Sequence, residues 1–192
     1  ELVEKVGSAF GSCFEGGIVS LGRDTRVSGP SLQAAFLKGI QSTGCNIESY
    51  GIIPISVLSY ITRAEGLDAA AYISASHNPP KYNGIRFRTG DGYGMLYKET
   101  KIMQYFRDGK FRSGSGHVYE RDPAKALDRY SDYISQKLNF NRQLKVVLDF
   151  GNGSACAMGP IYEKAGLEVI EVNETMDGLF PGRGSSPTEE SL

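Results

Sequence analysis

The sequence has no tryptophan, only two histidines and only three cysteines in 192 residues. Cys13, Cys45 and Cys156 are odd in number and far apart, and no Cys-x-x-Cys pair occurs. A disulfide framework needs paired cysteines, and a structural zinc site needs about four Cys or His ligands. These scarcities argue against both kinds of site and predict three free thiols in a reducing compartment.

Neither sign of charge dominates, and no apolar run is long. The 21 Lys and Arg residues nearly balance the 22 Asp and Glu residues, which leaves a formal net charge of -1. Proteins that coat nucleic acid or anionic membranes carry a basic excess instead. The apolar stretches end well before the roughly 18 residues of a membrane-spanning helix. We therefore expect a cytoplasmic protein with no nucleic-acid partner and no membrane partner, in which any anion site is local.

Glycine and aromatic residues are plentiful, with 24 Gly, 9 Phe and 11 Tyr. The glycines are scattered between periodic segments, which is typical of many tight turns. The aromatic and aliphatic residues suffice for a globular core. Because Glu1 already lies inside a helical apolar pattern with no capping residue before it, we expect the chain to be a piece of a longer protein.

The hydrophobic periodicity alternates between strand and helix, which is typical of an α/β sheet covered by helices. In the first part of the chain it predicts strands over 17–21, 46–51, 69–74 and 84–88, and helices over 30–43 and 54–65. Amphipathic helices are predicted over 99–108 and 123–138, on either side of a Gly/Ser-rich loop.

A second, smaller unit follows. It reads as a strand over 145–150, a glycine turn, a helix over 154–165 and a strand over 167–172. Polar residues around Asn141 interrupt the pattern before it. We therefore predict a first domain over 1–141 and the incomplete beginning of a second, similar domain over 142–192.

The densest group of turn-forming residues, 74–88, reads S-A-S-H-N-P-P-K-Y-N-G-I-R-F-R. Asn-Pro-Pro and Asn-Gly exclude regular structure, so the chain crosses a strand end as a fixed loop that presents Ser76. Ligands of open α/β sheets gather at strand ends. Lys81, Arg86 and Arg88 follow closely, and the last two share one strand face. The loop is therefore suited to hold a dianionic phosphate.

The residues alone leave other roles open for this loop. A serine beside Asn-Pro is ordinarily a turn residue, and a loop histidine such as His77 is more often a hydrogen-bonding residue than a general base. Ser76 and His77 do not form a hydrolase triad, because a nucleophile elbow requires Gly-x-Ser-x-Gly, whereas Ser74 and Asn78 flank this serine.

Two further loops could bind anions. G-R-D-T-R-V-S-G-P, over 22–30, places Arg23 and Arg26 in a glycine-flanked loop after a strand. Asp24 lies between them, and such a loop is at least as often an internal ion pair. F-G-N-G-S, over 150–154, resembles a phosphate-cradling turn, although it lacks a full G-x-G-x-x-G and a Walker lysine.

Together these segments resemble the α-D-phosphohexomutase superfamily, which comprises phosphomannomutases, phosphoglucomutases and phosphoglucosamine mutases. The resemblance implies the three-layer helix-sheet-helix domain of that superfamily. It covers nearly the whole chain, because five motifs occur in the family's order. They are G-R-D-T-R-V-S-G (22–29), S-T-G-C (42–45), S-A-S-H-N-P-P-K-Y-N-G (74–84), D-F-G-N-G (149–153) and D-G-L-F-P-G-R (177–183).

The resemblance implies that Ser76 is a phosphoserine that exchanges its phosphoryl group with a hexose phosphate. It also implies a Mg²⁺ ion on the phosphoryl oxygen of Ser76, and glucose 1,6-bisphosphate or an equivalent as activator. The catalytic candidates are Ser76, His77 and Arg86. The phosphate-binding candidates are Arg23, Arg26, Asn78 and Lys81.

The sequence also departs from the family pattern. The Asp-Gly-Asp-Gly-Asp-Arg loop that supplies the family's magnesium carboxylates does not occur in it. Arg86 stands where the family usually has a lysine thought to assist proton transfer, and arginine is a poor general acid or base. Either Arg86 acts only electrostatically, or another group such as His77 or Lys81 moves the proton, or the parent enzyme is slow.

We expect the remaining domains of the parent chain to complete the active site, and the isolated chain to be inactive. The expected reaction interconverts hexose 1-phosphate and hexose 6-phosphate, with mannose or glucose as the sugar. Phosphoglucosamine mutase is the first alternative. A non-catalytic sugar-phosphate-binding module is the second, and Arg86 is the feature that motivates it.

Overall fold

The computed structural model describes residues 1–96, 101–138, 140, 142 and 144–191. The helices are α1 (Leu2–Gly11), α2 (Gly29–Gln41), α3 (Ile55–Ala64), α4 (Lys101–Asp108), α5 (Pro123–Ser135) and α6 (Gly159–Lys164). The strands are β1 (Ile18–Arg23), β2 (Asn46–Ile52), β3 (Ala69–Ile73), β4 (Ile85–Thr89), β5 (Val118–Glu120), β6 (Lys145–Asp149) and β7 (Glu168–Val172). None of the helices in these ranges is long and apolar enough to cross a membrane.

A five-stranded sheet with the order β4-β3-β1-β2-β5 forms the centre of the larger unit. Its pairs are parallel except β3 with β4, which are antiparallel. One face packs against α1, α2 and α4 and the other against α3 and α5, so the core lies in two layers. The predicted helix-sheet-helix architecture is confirmed.

Side-chain size explains how closely these layers pack. The middle of the sheet is built from small residues, because Ala69, Ala70 and Ala71 of β3 are fully buried. On one face Phe10 of α1 stacks on Phe87 of β4, with ring centroids 4.8 Å apart. Small residues in the sheet leave room for such rings.

A two-stranded parallel sheet of β6 and β7 forms the smaller unit. The helix predicted over 154–165 is divided into a 3-10 helix, Ser154–Met158, and α6. Pro160 explains the division, because a proline is tolerated in the first turn of an α-helix but not in its interior. Asn141, where we placed the domain boundary, lies outside the described residues, so the boundary stays a prediction.

The sequence pattern missed one strand. β5 is only three residues long and pairs with β2 at the edge of the sheet, too short to show an alternation. The helix predicted over 99–108 is described from Lys101, because Glu99 and Thr100 lie outside the described residues. All three cysteines are free, in agreement with the expectation of no disulfide.

The crossing of α1 and α2 depends on Gly39. A Cβ atom there would lie 2.1 Å from the Glu4 carbonyl oxygen and 2.8 Å from the Ser8 amide nitrogen. We expect Gly39→Ala to lower the free energy of unfolding of this chain by about 2 kcal/mol, because the two helix backbones would have to separate. Helix propensity alone predicts the opposite sign, a gain of about 1 kcal/mol.

Urea denaturation would measure this change. Lys38→Ala on the same helix is the control, because that side chain is 72% exposed and its ion pair with Glu4 contributes little. An unchanged or raised unfolding free energy for Gly39→Ala would contradict the close packing.

Candidate active site

The candidate site is a cavity of about 300 Å³ where the two sheets meet. Asp24 follows β1 and Ser74 follows β3, so both stand at the carboxyl edge of the large sheet. The glycine turn after β6 forms the opposite wall. Hydroxyl and guanidinium groups dominate the lining, which includes Ser74, Ser76, Ser154, Arg86, Arg88 and Arg183.

Ser76 has an exposed side chain and a left-handed backbone, with φ at +57°. Its amide donates a hydrogen bond of 2.9 Å to the Ser74 hydroxyl, which donates one of 2.6 Å to the Asp24 carboxylate. A non-glycine residue held in this conformation costs about 1–3 kcal/mol and persists only where its surroundings impose it. The structure therefore fixes the direction in which the Ser76 hydroxyl is presented.

Arg26 imposes much of this loop geometry. Its side chain is fully buried, and its Nε donates to Asp24 Oδ2 at 3.0 Å. Its two terminal nitrogens donate to four backbone carbonyls of the loop at 2.7–2.9 Å, those of Ser76, Asn78, Pro79 and Tyr82. A guanidinium group has five N–H donors, so the loop and Asp24 use every one.

The expectation that Arg26 binds a phosphate is therefore wrong, because it has no donor left for one. Arg23 uses two of its five donors in the described part of the protein, with Nε donating to Gln33 at 2.9 Å and a terminal nitrogen to the Asp24 carbonyl at 3.2 Å. Neither arginine lines the cavity. The Arg-Asp-Arg loop is the internal ion pair that the sequence left open.

The remaining candidates of the Ser76 loop, Lys81, Asn78 and His77, all have exposed side chains but differ in their contacts. Lys81 is exposed, lies over the ring of Tyr82 and is absent from the cavity lining. The backbone carbonyl of Asn78 accepts a hydrogen bond from Arg26, while the Asn78 side chain is exposed. His77 is exposed, and its Nδ1 lies 3.5 Å from the Ser76 hydroxyl, at the outer limit of a hydrogen bond.

Two arginines supply the positive charge of the cavity. Arg86 and Arg88 lie opposite Tyr72 and Ala70 in the ladder of β3 and β4, so both occupy the same face of β4. Within the described ranges neither forms an ion pair with a carboxylate, and the Nε of Arg88 is buried without a hydrogen-bond partner. A buried donor without an acceptor is costly, so an anion in the cavity would stabilise this wall.

The wall contributed by the smaller unit is held by buried polar contacts. Tyr72 donates to the Ile53 carbonyl at 2.8 Å and lies 3.1 Å from the Ser154 hydroxyl. Burial raises the pKa of Tyr72, so it stays a neutral hydroxyl. Arg183 pairs with Asp149. Burial alone would raise the pKa of Asp149, but hydrogen bonds from Asn173, the Gly151 amide and Arg183 outweigh it and lower the pKa.

Comparison with known proteins identifies the architecture around this cavity. Residues 1–113 match the family model described as phosphoglucomutase/phosphomannomutase, alpha/beta/alpha domain I. The chain belongs to this family. Residues 1–113 therefore correspond to the first domain of this family.

Individual relatives agree with this membership. Phosphoglucosamine mutase of Methanococcus maripaludis is 36% identical over 98% of this chain and 42% of its own length. Phosphoglucomutase/phosphomannomutase of Thermococcus kodakarensis is 33% identical over 100% of this chain and 45% of its own length. A solved family member from Burkholderia thailandensis superposes with a TM-score of 0.83 at 28% identity, over 95% of this chain and 42% of that one. The chain thus spans less than half the length of the relatives it matches.

Sequence reasoning missed several residues of the phosphohexomutase cavity. Ser154 belongs to the F-G-N-G-S turn that could bind an anion, and Arg183 only to a family motif, but neither is predicted near Ser76, yet both line the cavity more than 70 positions after it. The D-F-G-N-G and D-G-L-F-P-G-R motifs were the available signal. Nothing in their spacing indicated that they face the Ser76 loop.

The described part of the chain does not make a complete magnesium site. Asp24 is the only carboxylate in the cavity lining, and both of its oxygens are engaged with Arg26, with Ser74 also on one of them. No group of three or more His, Cys, Asp or Glu side chains clusters within ligand distance there. Among the described residues Ser76 is the one candidate ligand, so the expected carboxylates would have to come from elsewhere.

We expect Arg26→Lys to lower the unfolding free energy of this chain by about 3 kcal/mol and to loosen the Ser76 loop. Lysine keeps the charge but has three donors for the five bonds, so Asp24 and the loop carbonyls lose partners. Urea denaturation and limited proteolysis within 76–83 would measure the two effects.

Arg23→Lys is the matched control, because Arg23 lies in the same loop without reaching the Ser76 loop. Equal stability and equal proteolysis of the two variants would contradict the role assigned to Arg26.

Proposed function

We propose that this chain is the amino-terminal part of a phosphohexomutase that interconverts hexose 1-phosphate and hexose 6-phosphate through a phosphoserine at Ser76. One observation carries the proposal. An exposed hydroxyl, held in a left-handed backbone, opens into a cavity lined by three arginines, and two of them, Arg86 and Arg88, have no carboxylate partner among the described side chains.

The charges of the cavity suit a phosphorylated serine. A phosphoserine carries about -1.5 to -2 charges at neutral pH and three acceptor oxygens. The guanidinium groups of Arg86 and Arg88 supply two fixed positive charges and the donors for those oxygens. Phosphoryl transfer depends mainly on positioning and charge neutralisation, which a fixed serine beside two guanidinium groups provides.

The reaction moves one phosphoryl group in each half. A sugar hydroxyl oxygen attacks the phosphorus on Ser76 and loses its proton, the bond from phosphorus to Oγ breaks, and a sugar bisphosphate forms. After the bisphosphate has turned round, Oγ attacks its other phosphorus and regains the phosphoryl group, and the isomeric monophosphate leaves. Arg86 stays charged and stabilises the transferring group, so His77 beside Ser76 is the candidate to move the proton.

The cofactors are part of this proposal. When bound, Mg²⁺ would neutralise phosphoryl charge, with the oxygen on Ser76 as its ligand from this part of the chain. Glucose 1,6-bisphosphate or an equivalent would phosphorylate Ser76 at the start of turnover. We also propose a cytoplasmic location, a hexose phosphate substrate and the remaining domains of the parent chain as the partners of this part.

The choice of sugar separates two versions of the proposal. We propose glucose or mannose phosphate, because the D-G-L-F-P-G-R segment resembles the hexomutase pattern. Phosphoglucosamine mutase is the second candidate, since relatives such as that of Methanococcus maripaludis carry that name. Turnover of glucose 1-phosphate, mannose 1-phosphate and glucosamine 1-phosphate by the full-length protein, compared as kcat/KM, decides between them.

We expect Ser76→Ala to abolish mutase activity of the full-length protein, because no oxygen remains to carry the phosphoryl group. Mass spectrometry after incubation with glucose 1,6-bisphosphate should find phosphate on Ser76 of the wild type and not of the variant. Ser31→Ala, which removes an exposed hydroxyl in the first turn of α2 outside the cavity lining, is the control and should still be phosphorylated at Ser76. Full activity of Ser76→Ala would refute the proposed function, and a wild type never phosphorylated there would favour the non-catalytic module.

Charge at Arg86 gives a second test of the proposed function. We expect Arg86→Met to slow phosphorylation of Ser76 by about a hundredfold, because the transferring group loses a fixed positive charge. Arg86→Lys keeps a charge and should lose less than about tenfold. Rapid-quench measurement of phosphate on Ser76 gives both rates. Equal rates for the two variants would mean that charge at this position does not matter.

A further inference from the structure

The segment that follows β7 folds back over the Arg-Asp-Arg loop, residues 22–30, which we call the Arg26 loop. We call residues 177–185 the strap. The strap packs on the loop backbone to backbone, because a Cβ at Gly178 would lie 2.4 Å from the Thr25 carbonyl oxygen and 2.7 Å from the Val27 amide. The Thr25 hydroxyl also donates to the Asn152 carbonyl at 3.2 Å. The strap and the Arg26 loop therefore fit each other closely.

Phe180 of the strap covers the guanidinium of Arg26. The Arg26 Cζ lies 5.2 Å from the centre of the ring, and Phe180 is only 7% exposed. Phe180 has a left-handed backbone, with φ at +54°, which is unfavourable for a bulky residue and persists only where packing imposes it. The ring adds a cation–π contact and keeps water from the guanidinium. Exclusion of water strengthens the hydrogen bonds from Arg26 to the Ser76 loop.

Ser185 of the strap contacts the loop that carries Ser76 directly. Its hydroxyl lies 3.1 Å from the His77 carbonyl oxygen and 2.8 Å from that of Asn78. The Asn78 carbonyl also accepts a hydrogen bond of 2.8 Å from Arg26, and a carbonyl oxygen has two lone pairs to receive both donors. Arg26 and Ser185 thus both hold the loop through its backbone carbonyls, and they share that of Asn78.

We propose that Phe180 and Ser185 are positioning residues for Ser76, so that the reactivity of the serine depends on the strap. Neither residue needs to touch the reacting atoms. They act through Arg26 and the carbonyls of His77 and Asn78, which keep Ser76 in its left-handed conformation. This inference rests on the proposed role of Ser76 as the phosphoryl carrier.

Hydrogen exchange in the full-length protein tests the positioning directly. We expect Phe180→Ala to speed exchange in a peptide over 76–84 by about tenfold, because the loop opens more often when Arg26 is hydrated. A peptide over 18–23 in β1 should exchange as in the wild type. The control is Leu179→Ala, which removes a neighbouring strap side chain that is 65% exposed and should leave both peptides unchanged.

A matched pair at Ser185 keeps the test decisive if Phe180→Ala does not fold. Ser185→Ala removes the hydroxyl and should speed loop exchange by about threefold, whereas Ser185→Thr retains it and should restore slow exchange. The rate constant kcat should fall in parallel with loop opening while KM stays within about twofold, because positioning acts on the reacting geometry.

The proposal is overturned if Ser185→Ala and any folded Phe180→Ala leave loop exchange like that of Leu179→Ala. It is equally overturned if the loop and β1 peptides speed up together, since that indicates general destabilisation. An inactive wild type would reject the proposed function instead, and the exchange comparison would still decide whether the strap holds the loop.

Discussion

The buried guanidinium of Arg26 is the interaction on which the candidate site depends. One side chain joins Asp24 at the end of β1 to four carbonyls of the loop that follows β3. Desolvating a charge costs several kcal/mol, and the cost is offset only when every donor finds an acceptor in good geometry. Because all five donors of Arg26 are used, the loop has one arrangement that satisfies this charge. The conformation of Ser76 follows from it.

Two arginine environments therefore coexist within one small site. Arg26 is saturated with internal acceptors and acts as structure, whereas Arg86 and Arg88 face the cavity without carboxylate partners in the ranges described. Like charges on one face of a strand repel, which favours an anion between them. The protein thus places two guanidinium groups without carboxylate partners in the described ranges in the same cavity as the Ser76 hydroxyl. The binding of a dianion would relieve the repulsion between Arg86 and Arg88.

The order of strands and helices could be predicted from apolar periodicity, and the Ser76 loop from its Asn-Pro-Pro and Asn-Gly turns. The roles of the two arginines in the Arg-Asp-Arg loop could not. Arg23 and Arg26 look alike in sequence, and what separates them is contact with carbonyls 50 or more positions later along the chain. The same limit hid Phe180, whose apolar ring gives no local sign that it covers a buried cation.

With arginine at position 86, the proposed mechanism needs one group to neutralise the phosphate and a different group to move the proton. A lysine can both neutralise a phosphate and exchange a proton, because its pKa shifts when it is desolvated. Arginine neutralises a phosphate without exchanging a proton. Proton movement then falls to a group outside this pair, and the Nδ1 of His77 lies 3.5 Å from the hydroxyl of Ser76, the proposed phosphoryl carrier. The loop that Arg26 fixes thus holds the proposed nucleophile and the candidate proton carrier together, while β4 supplies the charge.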